Sequence, residues 1–187
     1  MAKNRVRRIV LIGFRATGKT TVGRILARKL GWNFVDLDDY VEEKTGKSIR
    51  ELVEEGGWEA FRKKEREALR EFSHRERIVL ALGGGAVRHR EEMESLRDGA
   101  LVVWLCARPE TILRRLSADP RTQTQRPSLT GRPPEEEVLE LLREREPLYR
   151  HFADLGLSTD ALSPEETAQK ILEELKSRIT LEPNGKN

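Results

Sequence analysis

Four residues separate Gly13 from Gly18-Lys19-Thr20, and every fixed position in that spacing suits work on a phosphate. The glycines let the backbone curl around an anion with its N–H groups pointing inward, and the helix that follows directs its positive dipole end at the same place. Lys19 adds a mobile point charge for the β- and γ-phosphates. The Thr20 hydroxyl is a hard oxygen ligand suited to Mg²⁺. The flanks agree. Ile9 to Ile12 reads as a buried parallel strand, and Thr21 to Leu30 puts Val22, Ile25, Leu26 and Leu30 on one helical face. Residues 13–20 therefore form a loop that binds the phosphates of a nucleotide.

Acidic chemistry is concentrated in Asp36-Leu37-Asp38-Asp39, which closes a second strand, Trp32 to Val35. In a parallel sheet that starts with the phosphate loop, the end of this strand lies on the ligand-bearing edge. While the chain stays extended, Asp36 and Asp38 point the same way on either side of Leu37. One can serve Mg²⁺ and the other a substrate hydroxyl. The competing reading is that Asp38 or Asp39 caps a helix starting at Tyr40. A Walker-B strand would end in a metal-directed acid, but Ile78 to Leu82 runs into glycine and Leu101 to Leu105 into Cys106. Asp36 is then the best metal-side acid.

Residues 45–73 read as two short helices joined at Gly56-Gly57. In the second, Trp58, Phe61, Ala68, Leu69 and Phe72 form an apolar stripe bordered by Arg62, which leans inward. A surface ion pair with Glu59 or Glu65 is its alternative use. Gly83-Gly84-Gly85, after the third strand, permits close approach of backbone to ligand, or is a plain turn. Asp119 to Gly131 is polar and proline-bounded, carries Arg121 and Arg126, and reads as a lid able to exclude water. A helix over 134–150 carries Arg143, Arg145 and Arg150 among glutamates, and charge alone does not rank them.

The elements that must position these residues are strands near 8–13, 33–36, 77–82, 100–106 and 154–158, alternating with helical patterns that include 109–117 and 165–178. Five strands with intervening helices imply one parallel sheet covered on both faces. At 187 residues the chain suits a single domain, 1–187, with a helical insertion at about 37–73, a lid at about 119–131 and a polar tail at 180–187. Net charge is only +3, from 35 basic and 32 acidic residues, which argues against nucleic acid as a partner. The single cysteine, Cys106, excludes a disulfide framework and reads as a buried reduced thiol. The apolar run after the basic start is too short for a signal peptide or membrane span, so the protein reads as soluble and cytoplasmic.

With these pieces placed, the sequence resembles the shikimate kinase family of small P-loop kinases. The motifs that carry the resemblance are Gly13 to Thr20, Asp36-Leu-Asp38, Trp58-Glu-Ala-Phe-Arg62-Lys-Lys-Glu65, Leu82-Gly-Gly-Gly-Ala-Val87, Arg126-Pro-Ser-Leu and Arg145-Glu-Pro-Leu-Tyr149. The resemblance implies a three-layer α/β kinase fold and ATP-dependent phosphorylation of the 3-hydroxyl of shikimate. It implies one Mg²⁺ per site, with ATP as co-substrate, held by Thr20 and through Asp36. Lys19 and loop residues Gly13, Arg15, Ala16, Thr17, Gly18, Thr20 and Thr21 would bind ATP phosphates, with Arg121 and Pro164 on the adenine side. Asp38, Arg62, Gly83, Gly84, Gly85 and Arg145 would contact shikimate, the two arginines at its carboxylate. Asp38, Lys19 and Arg126 would be catalytic, with Arg126 reaching the transferring phosphoryl group from the lid. The loop interior Arg15-Ala16-Thr17 departs from the usual small or hydrophobic residues, and Asp160 to Pro164 lacks a basic residue that some relatives carry.

Shikimate and ATP are thus the expected partners of a monomer without nucleic-acid or membrane contacts. Another small P-loop kinase, for gluconate or a nucleoside monophosphate, is the alternative within enzymes. A GTP-dependent switch would need an Asn-Lys-x-Asp guanine contact, which the sequence lacks.

Overall fold

The computed structural model describes residues 5–120 and 127–180. Its strands are β1 (Arg8–Ile12), β2 (Asn33–Asp36), β3 (Ile78–Ala81), β4 (Ala100–Cys106) and β5 (Leu155–Ser158). They form one sheet in the order β2-β3-β1-β4-β5, and every pairing is parallel. The helices are α1 (Lys19–Leu30), α2 (Leu37–Thr45), α3 (Ile49–Phe72), α4 (Arg90–Arg97), α5 (Pro109–Ala118), α6 (Pro134–Phe152) and α7 (Pro164–Thr180), with a 3₁₀ turn at Ala86–Arg88.

The continuous apolar run of β1 follows from its central place, since both of its faces are covered. Ile9 and Leu11 pack with Val22, Ile25 and Leu26 of α1 and with Ala168, Ile171 and Leu175 of α7. Val10 and Ile12 face the other way, onto Val41 of α2, Phe61 and Leu69 of α3, and Tyr149 and Phe152 of α6. These are the expected three layers. A smaller cluster of Phe14, Ile112, Val138 and Leu141 ties α5 and α6 to the back of the phosphate loop. Arg8 is the polar exception in β1. It is 1% exposed, and its guanidinium donates to the carbonyls of Arg75, Leu96 and Asp98, which staples three chain segments at the edge away from the loop.

Residues 45–73 carry the helical segments that their pattern predicts. Ser48 and Glu51 form a reciprocal capping box at the start of α3. Gly57, at φ 69° and ψ 178°, breaks that helix into two segments, as the Gly56-Gly57 pair predicts. The strand-to-helix boundary ahead of it differs from expectation. Helix α2 begins at Leu37, and its cap is Asp36, whose carboxylate accepts from the amides of Asp38 and Asp39. Neither Asp38 nor Asp39 is the cap, and Asp38 projects from the first helical turn instead of from an extended strand. Asp is a strong N-cap wherever it falls, and the sequence offered three adjacent choices. Helix α6 likewise continues past Pro147 to Phe152. Cys106 is only partly buried.

Candidate active site

The phosphate loop is built from backbone conformations that few side chains tolerate. Gly13 (φ 141°) and Gly18 (φ 96°) have positive φ, and so does Ala16 (φ 61°). A Cβ on Gly13 would collide with the carbonyl of Leu105 on β4. Thr17 is buried and works on the loop itself, its hydroxyl donating to the Phe14 carbonyl at 2.8 Å. Lys19 Nζ donates to the carbonyls of Gly13 and Phe14, at 2.8 and 2.7 Å, and so holds its charge over the loop mouth. Arg115 of α5 fastens the loop from the side, donating to Ala16 O at 2.9 Å and to the Thr159 carbonyl at 3.0 Å.

In front of this loop lies a cavity of about 680 Å³. Arg15, Ala16, Gly18, Lys19, Thr20 and Thr21 line one side, Asp36 and Asp38 another, and Gly83 and Gly84 a third. Arg24 and Arg28 of α1 add positive charge that the sequence reading did not single out. Pro164 opens α7, and the adjacent Glu165 reaches the cavity wall. Arg121 and Arg126, with the rest of lid residues 121–126, and the tail beyond residue 180 lie outside the described residues.

Thr20 and Asp36 meet at the mouth of the loop, the Thr20 hydroxyl donating to Asp36 Oδ2 at 3.0 Å. Burial, then the neighbouring charges of Asp38 and Asp39, raise the Asp36 carboxyl above its ordinary range, while the Thr20 bond opposes them. Two hard oxygens side by side in a site that disfavours a bare negative charge fit a divalent cation. Among the described residues no cluster of three or more His, Cys, Asp or Glu side chains could hold a metal unaided. The remaining ligands would then be phosphate and water, as Mg²⁺ prefers.

A narrow side pocket runs from Asp38 to Arg62 and Arg145, with Trp58, Glu65 and Leu129 in its walls. The three glycines after β3 form its floor, and each makes room for one polar side chain. A Cβ on Gly83 would lie 2.8 Å from Asp38 Oδ1, one on Gly84 3.1 Å from Arg145 Nη1, and one on Gly85 2.5 Å from Arg62 Nη2. Both sequence readings of this triplet, ligand approach and plain turn, thus miss a packing requirement. Arg145 is 2% exposed, and its Nε and Nη2 have no hydrogen-bond partner among the described residues. Desolvation accordingly lowers its pKa. Tyr149, one turn further along α6, donates to Gly84 O at 2.5 Å, and burial pushes its hydroxyl up to about 12. Arg62 does pair with Glu65, at 2.6 Å, but Glu65 is 1% exposed, so the pair faces the pocket and not solvent.

The roles of Tyr149, Glu65 and Arg115 went unread in sequence. The i,i+4 spacing of Arg145 and Tyr149 was an available signal for the first. Nothing local marked Arg115, whose partners are distant in the chain.

A five-stranded parallel sheet with a G-x-x-x-x-G-K-T loop, a Thr–Asp pair beside it and a cationic side pocket defines a P-loop phosphotransferase of small molecules. Comparison with known proteins narrows the class. The family model described as shikimate kinase matches residues 15–176. The shikimate kinase of Moorella thermoacetica is 46% identical over 169 residues, covering 90% of this chain and 94% of that protein. The shikimate kinase of Nitratidesulfovibrio vulgaris is 47% identical over 154 residues, 82% of this chain and 87% of that one. A solved shikimate kinase from Acinetobacter baumannii in complex with shikimate superposes with a TM-score of 0.85 at 38% identity, over 94% of this chain and 96% of its own. The chain belongs to the shikimate kinase family.

Proposed function

We propose that this chain transfers the γ-phosphoryl group of ATP to the 3-hydroxyl of shikimate, giving shikimate 3-phosphate. The observation that carries the reading is Arg145, whose buried Nε and Nη2 have no hydrogen-bond partner among the described residues, a short way from the phosphate loop. Leaving such a donor unsatisfied costs about 1–3 kcal/mol, more when it is charged. The arrangement is stable in function if an anion completes it. With Arg62 beside it, that anion is a carboxylate, which a guanidinium binds through two parallel hydrogen bonds.

The roles follow from position. Amides of residues 15–20 and the Lys19 ammonium bind the ATP phosphates, and Lys19 exchanges its loop carbonyls for phosphate oxygens. Thr20, and Asp36 through it, would hold Mg²⁺, which would supply charge neutralisation. Asp38 lies between the two pockets, orients the attacking hydroxyl and accepts its proton late, as a loose transition state requires. Alignment and stabilisation of spread charge account for most of the catalysis. The family resemblance adds Arg126 from the lid to that charge stabilisation and Arg121 and Pro164 to the adenine side. No helix among the described residues is long and apolar enough to cross a membrane.

The test is ADP release measured with shikimate, gluconate, nucleoside monophosphates or no acceptor. Stimulation by shikimate alone is expected. Failure of shikimate to stimulate, or equal stimulation by gluconate, overturns the assignment.

A further inference from the structure

Both oxygens of the Glu65 carboxylate are withdrawn from solvent, yet only one is anchored. Oε2 accepts from Arg62 Nη1 at 2.6 Å and lies 2.8 Å from His89 Nε2, while Oε1 has no hydrogen-bond partner among the described residues. We propose that His89 is a positioning residue for acceptor binding, fixing Glu65 so that Glu65 in turn holds the Arg62 guanidinium in line with the acceptor carboxylate. The inference rests on the reading of the side pocket as the acceptor site.

The fold gives His89 this reach through one short turn. Gly83 to Gly85 leave β3, the 3₁₀ turn Ala86–Arg88 follows, and His89 ends it with a side chain only 9% exposed. Gly85 lies beneath the guanidinium of Arg62, and His89 meets the far side of Glu65, so the turn touches the ion pair at both ends. An ionised carboxylate has no proton to give, so in this contact the imidazole carries a proton on Nε2 and donates it. Arg62 needs such support. It rests over the rings of Trp58 and Phe61, at 5.7 and 5.3 Å, contacts that leave its long side chain several rotamers. An i,i+3 ion pair on a helix surface is a weak constraint by itself. A buried carboxylate held from a second element is a strong one, because its own rotamer is fixed. The imidazole also feels the charge of Glu92 of α4, which pairs with Arg70 of α3 at 2.6 Å.

The experiment compares His89→Leu, which removes the donor, with His89→Gln, whose amide nitrogen reproduces a donor near Nε2. His89→Leu is expected to raise KM for shikimate by roughly 5- to 30-fold, the range for losing one such hydrogen bond. KM for ATP and kcat should stay within about two-fold, and His89→Gln should recover most of the shikimate KM. On an Arg62→Ala background, His89→Leu should have no further effect, since Arg62 transmits it. An unchanged shikimate KM in His89→Leu overturns the inference. So does failure of His89→Gln to recover it, or an equal His89→Leu effect without Arg62, or an equal rise in ATP KM, which indicates general damage. A His89→Leu protein that does not fold leaves the His89→Gln shikimate KM to decide, and a rise there of five-fold or more counts against the inference. Wild-type protein inactive on shikimate defeats the acceptor assignment and this inference together, whereas active wild type with an indifferent His89→Leu defeats this inference alone.

Discussion

Replacing Gly85 by alanine adds one methyl group, and the structure says what it strikes. Gly85 has φ −96° and ψ −2°, a conformation open to any residue, so the backbone is not strained. The new Cβ would lie 2.5 Å from Arg62 Nη2, 2.8 Å from Nη1 and 2.9 Å from Cζ. Ordinary contact needs about 3.5 Å or more, so the guanidinium must retreat by about 1 Å. Its bond to Glu65 at 2.6 Å opposes a simple sideways slide. The acceptor carboxylate would lose alignment with one arm of its clamp. A hydrogen bond to a charged group is worth about 1.5–3 kcal/mol, which converts to roughly 10- to 150-fold in affinity. Gly85→Ala should therefore raise the shikimate KM by at least about ten-fold while leaving the ATP KM and thermal midpoint nearly unchanged. Steady-state kinetics with each substrate varied, alongside a thermal melt, read all three. A shikimate KM within two-fold of the parent would mean that Arg62 does not bind the acceptor, or that the clamp tolerates a displacement the geometry says it does not.

The raised Asp36 carboxyl makes its protonated form the one that folding favours, so its contribution to stability is present at acid pH and lost as pH rises through the raised value. Asp36→Asn, which keeps the helix cap, should then raise the nucleotide-free melting temperature more at neutral pH than at a pH below the ordinary aspartate range, and shrink the further gain from Mg²⁺-ATP; a lower melting temperature at neutral pH contradicts this. Tyr149→Phe leaves the buried Gly84 carbonyl without its donor and should cost about 1–3 kcal/mol, a fall of roughly 2–10 °C in melting temperature for a chain of this size. The same change should raise the shikimate KM, whereas no change in either quantity would make the hydroxyl dispensable. Arg126→Ala should lower kcat roughly 10³-fold with the fold intact, the range for charge-stabilising arginines, and a change of only a few-fold would remove Arg126 from the chemistry.

Much of this protein is legible before any coordinates. The phosphate loop is contiguous, so its glycines, lysine and threonine announce a backbone cradle through spacing alone, and β1 and α1 on either side announce the sheet that holds it. The apolar runs of the other strands and the Gly56-Gly57 break are equally local. The expectation that a metal-side acid lies at the end of β2 came from the absence of one at the ends of the third and fourth strands. Family resemblance then selected Arg62 and Arg145 from a chain rich in arginine, which charge pattern could not do.

Tertiary structure decided what depends on pairs distant in the chain. Asp36 as the α2 cap required the exact end of a strand, set by pairing with β3. The floor made by Gly83, Gly84 and Gly85 has meaning only once Asp38, Arg145 and Arg62 arrive from α2, α6 and α3 to occupy the space a Cβ would fill. Glu65 looked like half of a surface ion pair, because an i,i+3 spacing is the same whether the helix face meets water or a neighbouring turn. His89 carried no signal at all. Spacing along one segment fixes what that segment can hold, but burial and long-range contact determine which polar side chains lose water, and only those must be paired, aimed or left waiting for a ligand.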